Sequence, residues 1–349
     1  VKPALAFWCL VALSACNRAL DLPIDIEPGA PPIRVDGGQP MPETVIISYD
    51  VSRVIADDAH LYWSDTQIPT SVRGCLSATC PASALEFAHG AQDAVEPGGL
   101  AADAQYVYWA DGAGLAIHRC PIDGCAAEGP ETIAGGHINP NGVALDGDTI
   151  YFGDADTSAV LRCPTTGCVG APEVMATGQF QPDRLAVDAD YVYWLQGGPA
   201  SAIRRVAKSS PGSTPETLVQ VSDLYPHSLA LHGGYVYFTS TIEGVLRRCA
   251  VVGCNNEPEQ VSPVGLAPLA LIMDDAHIYW LAWTSTSGLG DVLRCPVAGC
   301  GGADPDVLAT AQPISGDDQA IAVDATYVYW ANVSNPSGAN NGAVMRIAK

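Results

Sequence analysis

Short apolar runs recur along the chain, each closing on an aromatic residue and each broken by Asp, Gly or His. They are IADDAHLYW (55–63), LAADAQYVYW (100–109), VALDGDTIYF (143–152), LAVDADYVYW (185–194), LALHGGYVYF (229–238), LIMDDAHIYW (271–280) and IAVDATYVYW (321–330). The closing aromatics Trp63, Trp109, Phe152, Trp194, Phe238, Trp280 and Trp330 stand 42 to 50 residues apart. A period of that size is the length of a four-stranded propeller blade. Within a copy, Leu185–Asp188 reads as a short strand ending at a turn, and Tyr191–Trp194 as a second strand. Tyr191 and Tyr193 point to one side, Val192 and Trp194 to the other. Both sides are bulky and mostly apolar, so both should be buried, as in blades stacked face to face. A third strand carries an Arg near its end (Val160-Leu161-Arg162), and a fourth follows a Pro-acid pair (Pro172-Glu173-Val174-Met175).

The pattern predicts an all-β, seven-bladed β-propeller over residues 42–349. Its last copy stops at Gly342–Lys349, a third strand with no fourth behind it. Pro42-Glu43-Thr44-Val45-Ile46-Ile47 matches the fourth strands at Pro130-Glu131-Thr132-Ile133 and Pro215-Glu216-Thr217-Leu218. The N-terminal strand is therefore expected to complete the last blade and seal the ring.

Charge narrows the partners. Lys and Arg total 16 against 38 Asp and Glu, a formal net charge of −22. That field repels nucleic acid, and no basic stripe offsets it. Among 12 cysteines, five pairs share the spacing C-x₄-C between third and fourth strands. They are Cys75 with Cys80, Cys120 with Cys125, Cys163 with Cys168, Cys249 with Cys254, and Cys295 with Cys300. The fourth and seventh copies lack both members, so each pair is expected to close a disulfide within its own repeat. This many cysteines suits an oxidising compartment. The other repeated polar residues read as scaffold. Arg119, Arg162, Arg205, Arg248, Arg294 and Arg346 should pair within or between blades, and Asp103, Asp146, Asp188 and Asp324 should cap turns.

At the N-terminus, Lys2 precedes a short apolar run, Ala4–Leu13, too short to span a bilayer. Leu13-Ser14-Ala15-Cys16 follows and resembles the lipobox of bacterial lipoproteins. The resemblance implies removal of residues 1–15, lipidation of Cys16 and, with Asn17 next, the outer membrane more than the inner. Residues 16–41, rich in Pro and Gly, read as an extended tether. The phrases Tyr62-Trp63-Ser64-Asp65 and Tyr108-Trp109-Ala110-Asp111 resemble the YWTD propellers of lipoprotein receptors. Those have six blades against seven copies here, and their Asp becomes Gln196, Ser240 or Ala282 later in the chain, so receptor-like binding does not transfer. Virginiamycin B lyase is a seven-bladed propeller that works with metal and His, but its motif finds no residue-by-residue match.

No G-x-S-x-G, H-E-x-x-H, P-loop or G-x-G-x-x-G occurs. Asp146-Gly147-Asp148 and Asp154-Ala155-Asp156 do not continue with EF-hand spacing, so neither a metal site nor a cofactor is predicted. Function is expected on the loops joining fourth to first and second to third strands, among residues that break the repeat. The candidate ligand face comprises His137, Phe180, Tyr225, His227, Glu243, Trp283, Asp317 and Asp318. The leading reading is a monomeric, noncatalytic binding or scaffolding module, held to a membrane by its lipid and meeting a protein or glycan. One alternative is an envelope lyase or hydrolase with a metal at the channel mouth. Another is a carbohydrate binder using Trp283, Tyr225 and Phe180 as sugar platforms.

Overall fold

A computed structural model of the chain describes residues 34–35, 39–48, 50–65, 70–89, 97–125, 129–136, 139–198, 201–220, 226–265, 267–284, 289–333 and 342–349. Cys16, the signal-like segment and most of the proposed tether lie outside the described residues. Among the tether's described residues, Arg34–Val35 pairs with Gln39–Pro40.

Seven four-stranded antiparallel sheets make up the rest. Their first strands are Val51–Ala56, Pro97–Ala102, Pro140–Asp146, Pro182–Val187, Leu229–His232, Ala267–Met273 and Ile321–Val323, and they number blades 1 to 7. In blade 7 the order is Ile321–Val323, Tyr327–Asn332, Gly342–Ala348 and then Glu43–Ser48. Glu43 pairs with Arg346, Thr44 with Met345 and Ile47 with Ala343. The N-terminal strand thus completes the last blade, as the Pro-Glu-Thr match predicts. Closure leaves no blade with an unpaired third strand.

The second strands explain why the ring holds together. Tyr106–Asp111, Tyr191–Gln196 and Tyr327–Asn332 each have five consecutive buried residues after a half-buried first. A sheet with one wet face would alternate instead. Trp63, Trp109, Trp194 and Trp330 are at most 1 % exposed, as are Tyr108, Tyr193 and Tyr329. Side chains of this size carry most of the blade-to-blade hydrophobic burial.

The repeated arginines form a ladder around the ring. Arg119, Arg162, Arg205, Arg248, Arg294 and Arg346 bond Glu131, Glu173, Glu216, Glu259, Asp306 and Glu43 on the adjoining fourth strand. Arg119 and Arg162 also donate to the carbonyls of Thr165 and Lys208 in the next blade. Arg119 and Arg205 further stack on Tyr106 and Tyr191. The repeated acids cap turns. Asp103 accepts from the Gln105 and Tyr106 amides and from the Tyr108 hydroxyl, and Asp188 and Asp324 repeat the arrangement. Asp146 differs, taking Lys208.

All five C-x₄-C pairs are disulfides, with Cα atoms 5.2–5.5 Å apart. Cys75 bonds Cys80, Cys120 bonds Cys125, Cys163 bonds Cys168, Cys249 bonds Cys254, and Cys295 bonds Cys300. The two members of a pair differ in burial. Cys75, Cys120, Cys163, Cys249 and Cys295 end third strands and are buried in the core. Cys80, Cys125, Cys168, Cys254 and Cys300 sit in the turns and are only half-buried against it. The second cysteine of each pair therefore pins an outer turn to the core rather than forming part of a ligand surface. Together the bridges tie the hairpins between third and fourth strands at one end of the ring, called here the lower face. The loops expected to carry function open at the upper face.

Candidate functional site

The channel mouth on the upper face is occupied by the chain itself. The loop entering blade 7 runs from Pro313 to Gln319, and Asp317 shapes its turn by accepting from the Gln319 amide. From there the loop bonds four other blades. Arg53 of blade 1 meets Asp317 at 2.8 Å, and the Val54 amide donates to the Gln319 carbonyl. The Gln319 side chain accepts from the Leu100 amide and donates to the Leu100 carbonyl in blade 2. Arg184 of blade 4 meets Asp318 at 2.8 Å and Asp183 at 2.7 Å. The hydroxyl of Ser228, just ahead of the first strand of blade 5, donates to the Asp318 carbonyl. A single loop reaching blades 1, 2, 4 and 5 lies across the mouth. Beneath it is a cavity of about 140 Å³, walled by residues including Val54, Gly142, Leu185, Leu271 and Ile321.

Space for this plug comes from one register position, ten residues before each closing aromatic. It holds Arg53, Gly99, Gly142, Arg184, Ser228, Ala270 and Ala320 in blade order. The small residues let the inner strands approach. A Cβ on Gly142 would stand 2.9 Å from the Arg184 amide nitrogen and 3.0 Å from Asp183 Oδ1. The two arginines fill what remains. Arg184 has φ 55°, the left-handed region that costs a non-glycine residue about 1 kcal/mol or more. Its ion pairs, and its Nε donating to the His227 carbonyl at 2.6 Å, hold it there.

Three carboxylates (Asp183, Asp317, Asp318) surround two guanidiniums (Arg53, Arg184) in this buried cluster, so one negative charge is left over. Burial opposes the Asp317 carboxylate, but Arg53 and Arg184 overcome it and hold the group below the usual range. Asp318 goes the other way. Burial, with Asp317 and Asp183 beside it, outweighs Arg184 and pushes its carboxyl well up. Burial and then Arg184 press the His227 imidazole below its ordinary value.

The candidate face is therefore only partly one site. Asp317, Asp318 and His227 come together at the mouth. Glu243 is engaged elsewhere. Arg247 grips both its oxygens and Ser240 bonds one, and the Arg247 hydrogen bond keeps it ionised below the usual range. His137 and Tyr225 lie outside the described residues. Phe180 is 51 % exposed and Trp283 41 %. Phe180 lies against Gly198 and Trp283 against Gly316 of the plug loop. Ile242 and Val264 join them as exposed apolar residues in upper-face loops. Among the described residues no group of three or more His, Cys, Asp or Glu is placed to hold a metal ion. A metal at the mouth was the premise of the lyase reading, and the mouth carboxylates face arginines instead.

Sequence reasoning missed Arg53, Arg184 and Gln319. The signal lay in the repeat alignment, where arginine breaks a position otherwise kept for Gly, Ser or Ala.

No protein-family model and no curated protein matches the chain. Solved structures do. Virginiamycin B lyase from Staphylococcus aureus superposes with TM-score 0.66 at 11 % identity, over 88 % of this chain and 100 % of that one. A streptogramin B lyase gives 0.67 at 10 % identity, over 88 % and 97 %. A chain of the nidogen/laminin complex gives 0.52 at 19 % identity, over 69 % and 90 %. At such identities the likeness is one of fold, and proteins named for quite different roles share it.

Proposed function

We propose that the chain is the recognition module of an exported, lipid-anchored envelope protein, and that it meets its protein or glycan partner on the upper face. The observation that carries this reading is the plug. Arg53–Asp317 and Arg184–Asp318 occupy the channel mouth, while Phe180, Ile242, Val264 and Trp283 stand exposed around it. Exposed apolar residues on a rigid rim suit contact with a partner surface. Support for the anchor is the lipobox-like Leu13-Ser14-Ala15-Cys16 alone.

The test is site-specific photo-crosslinking in the producing cells. A photoreactive residue replaces Ile242 on the upper face or, as control, fully exposed Val169 on the lower face. A discrete adduct from position 242 and none from 169 is expected. The same adduct from both, or none from 242, sinks the upper-face reading. Fractionation of a Cys16→Ala variant in the same cells tests the anchor, with loss from the membrane fraction expected.

A further inference from the structure

The opposite end of the channel carries a second feature, independent of the upper-face reading. A cavity of about 350 Å³ opens at the lower face, walled by Ile55, Ala56, Tyr62, Ala101, Ala102 and Ile272 among others. That volume is at the small end of small-molecule pockets.

The cavity exists because blades 1 and 2 break the repeat. Seven residues before the closing aromatic the blades carry Ala56, Ala102, Leu145, Val187, Leu231, Met273 and Val323 in order. Only blades 1 and 2 place alanine there, and the well opens beside them. Blade 1 breaks a second rule. The position facing the inner tyrosine on the third strand is arginine in the other six blades, but Tyr62 faces Gly74. A Cβ on Gly74 would stand 2.5 Å from Cδ1 of Tyr62 and 2.9 Å from the Phe87 ring, so the tyrosine lies directly on the glycine backbone.

The consequence falls on one hydroxyl. Tyr108, Tyr193, Tyr279 and Tyr329 donate to the turn aspartates of their own blades. Tyr237 donates to the Val297 carbonyl, and Tyr151 interacts with Arg162. The Tyr62 hydroxyl is buried with no hydrogen-bond partner among the described residues. Asp57, at the turn position whose Oδ2 takes the tyrosine in blades 2, 4, 6 and 7, bonds the Ala59 and His60 amides through Oδ1 and does not bond Tyr62. A buried hydroxyl left unpaired loses its bonds to water without regaining any. Burial pushes its pKa well above the ordinary value, so it remains a donor.

We propose that this lower well is a binding site for a compact, uncharged, mostly apolar molecule bearing one hydrogen-bond acceptor, which takes the Tyr62 hydroxyl. Asp57 in the wall and the acidic chain disfavour an anion. The aliphatic wall supplies the apolar contact and Tyr62 the single polar one, the usual division of labour in such pockets.

Acetophenone (an aryl ketone) and ethylbenzene (the same shape without the carbonyl) are suitable probes, titrated into the intact disulfide-bonded protein and followed by ligand-observed NMR. Both should bind. Tyr62→Phe should weaken acetophenone about fivefold, the worth of one hydrogen bond, and leave ethylbenzene unchanged. Ala102→Val, which gives this ring the side chain of blades 4 and 7, should weaken both probes at least about fivefold. Ala56→Val repeats the test should Ala102→Val not fold. Absence of binding by either probe overturns the proposal. So does a Tyr62→Phe effect equal for the two probes, or indifference of both probes to the filled cavity.

Discussion

Arg184 concentrates the consequences of burial at a single residue. It holds a left-handed backbone conformation and faces Asp183 and Asp318, with Asp317 close enough to strengthen its charge further. Breaking a buried ion pair by removing one partner costs far more than the pair contributes, because the surviving charges stay desolvated. Arg184→Met keeps the bulk but removes the cation. It should lower stability at pH 7 by about 3–5 kcal/mol in urea unfolding. The deficit should shrink as the pH falls and the three carboxylates take up protons. A deficit under about 1 kcal/mol, or one flat with pH, contradicts this account of the plug. Asp318→Asn relieves a crowded carboxylate and should cost much less.

At the scale of elements, the tight turn between the first two strands is fixed by a turn aspartate in blades 1, 2, 4, 6 and 7. Asp274 shows the electrostatic side. Burial opposes its charge, but Lys349, the Ala276 and His277 amides and the Tyr279 hydroxyl prevail and bring its pKa down to about 2. A carboxylate depressed on folding stabilises the protein above its unfolded pKa, and that stability is lost as pH falls through the folded value. The contribution of Asp274 should therefore be complete above about pH 4 and gone by about pH 2. Asp274→Asn should be less stable than the parent at pH 7 and indistinguishable from it near pH 2, by thermal unfolding across that range. At the lower end of blades 1, 2, 3, 5 and 6 the hairpin between third and fourth strands carries a disulfide, worth about 2 kcal/mol for so short a loop; blade 4 has the hairpin without the bridge, and blade 7 has no such hairpin because its fourth strand is Glu43–Ser48. Blade 4 uses plain turn bonds there, Ser210 N–H to the Ala207 carbonyl and Ser213 N–H to the Ser210 carbonyl.

For the whole molecule, closure is the decisive feature. Residues 43–48 and 342–348 pair across nearly the full length of the sequence, and Arg346 bonds Glu43. Without that strand the third strand of blade 7 becomes an open edge, and Val45, buried in the core around blade 7, is lost. Removing Glu43–Ile47 should lower the thermal midpoint of the entire propeller in one cooperative transition and promote association through the bared edge. Independent melting of blade 7 alone, with the rest of the ring at its original midpoint, rules that out. The plug acts on the same scale. One loop ties five of the seven blades at the axis, reaching blades that are not its neighbours.

The repeat, the blade count, the closing strand, the arginine ladder, the turn aspartates and the disulfides were all legible in the sequence, because each depends on spacing within or between copies. Hydrophobic period and turn chemistry are local, and local causes leave local marks. Glu43–Ile47 was recognisable as a strand far from its partner only because the fourth strands at Pro130-Glu131-Thr132-Ile133 and Pro215-Glu216-Thr217-Leu218 supplied the template. The axis was different. Asp317 and Asp318 looked like free loop acids until the fold brought Arg53 and Arg184 to them from blades 1 and 4. Glu243 looked available until Arg247 closed on it. Whether a polar residue is a ligand, a strut or an orphan depends on what the other blades place within hydrogen-bonding reach of it. Gly74 and Ala102 are ordinary small residues in the sequence, and only stacking the blades turns them into a cavity with a stranded hydroxyl at its wall. The chain's period determined the ring, and the ring, by converging inner strands on one axis, decided which side chains meet.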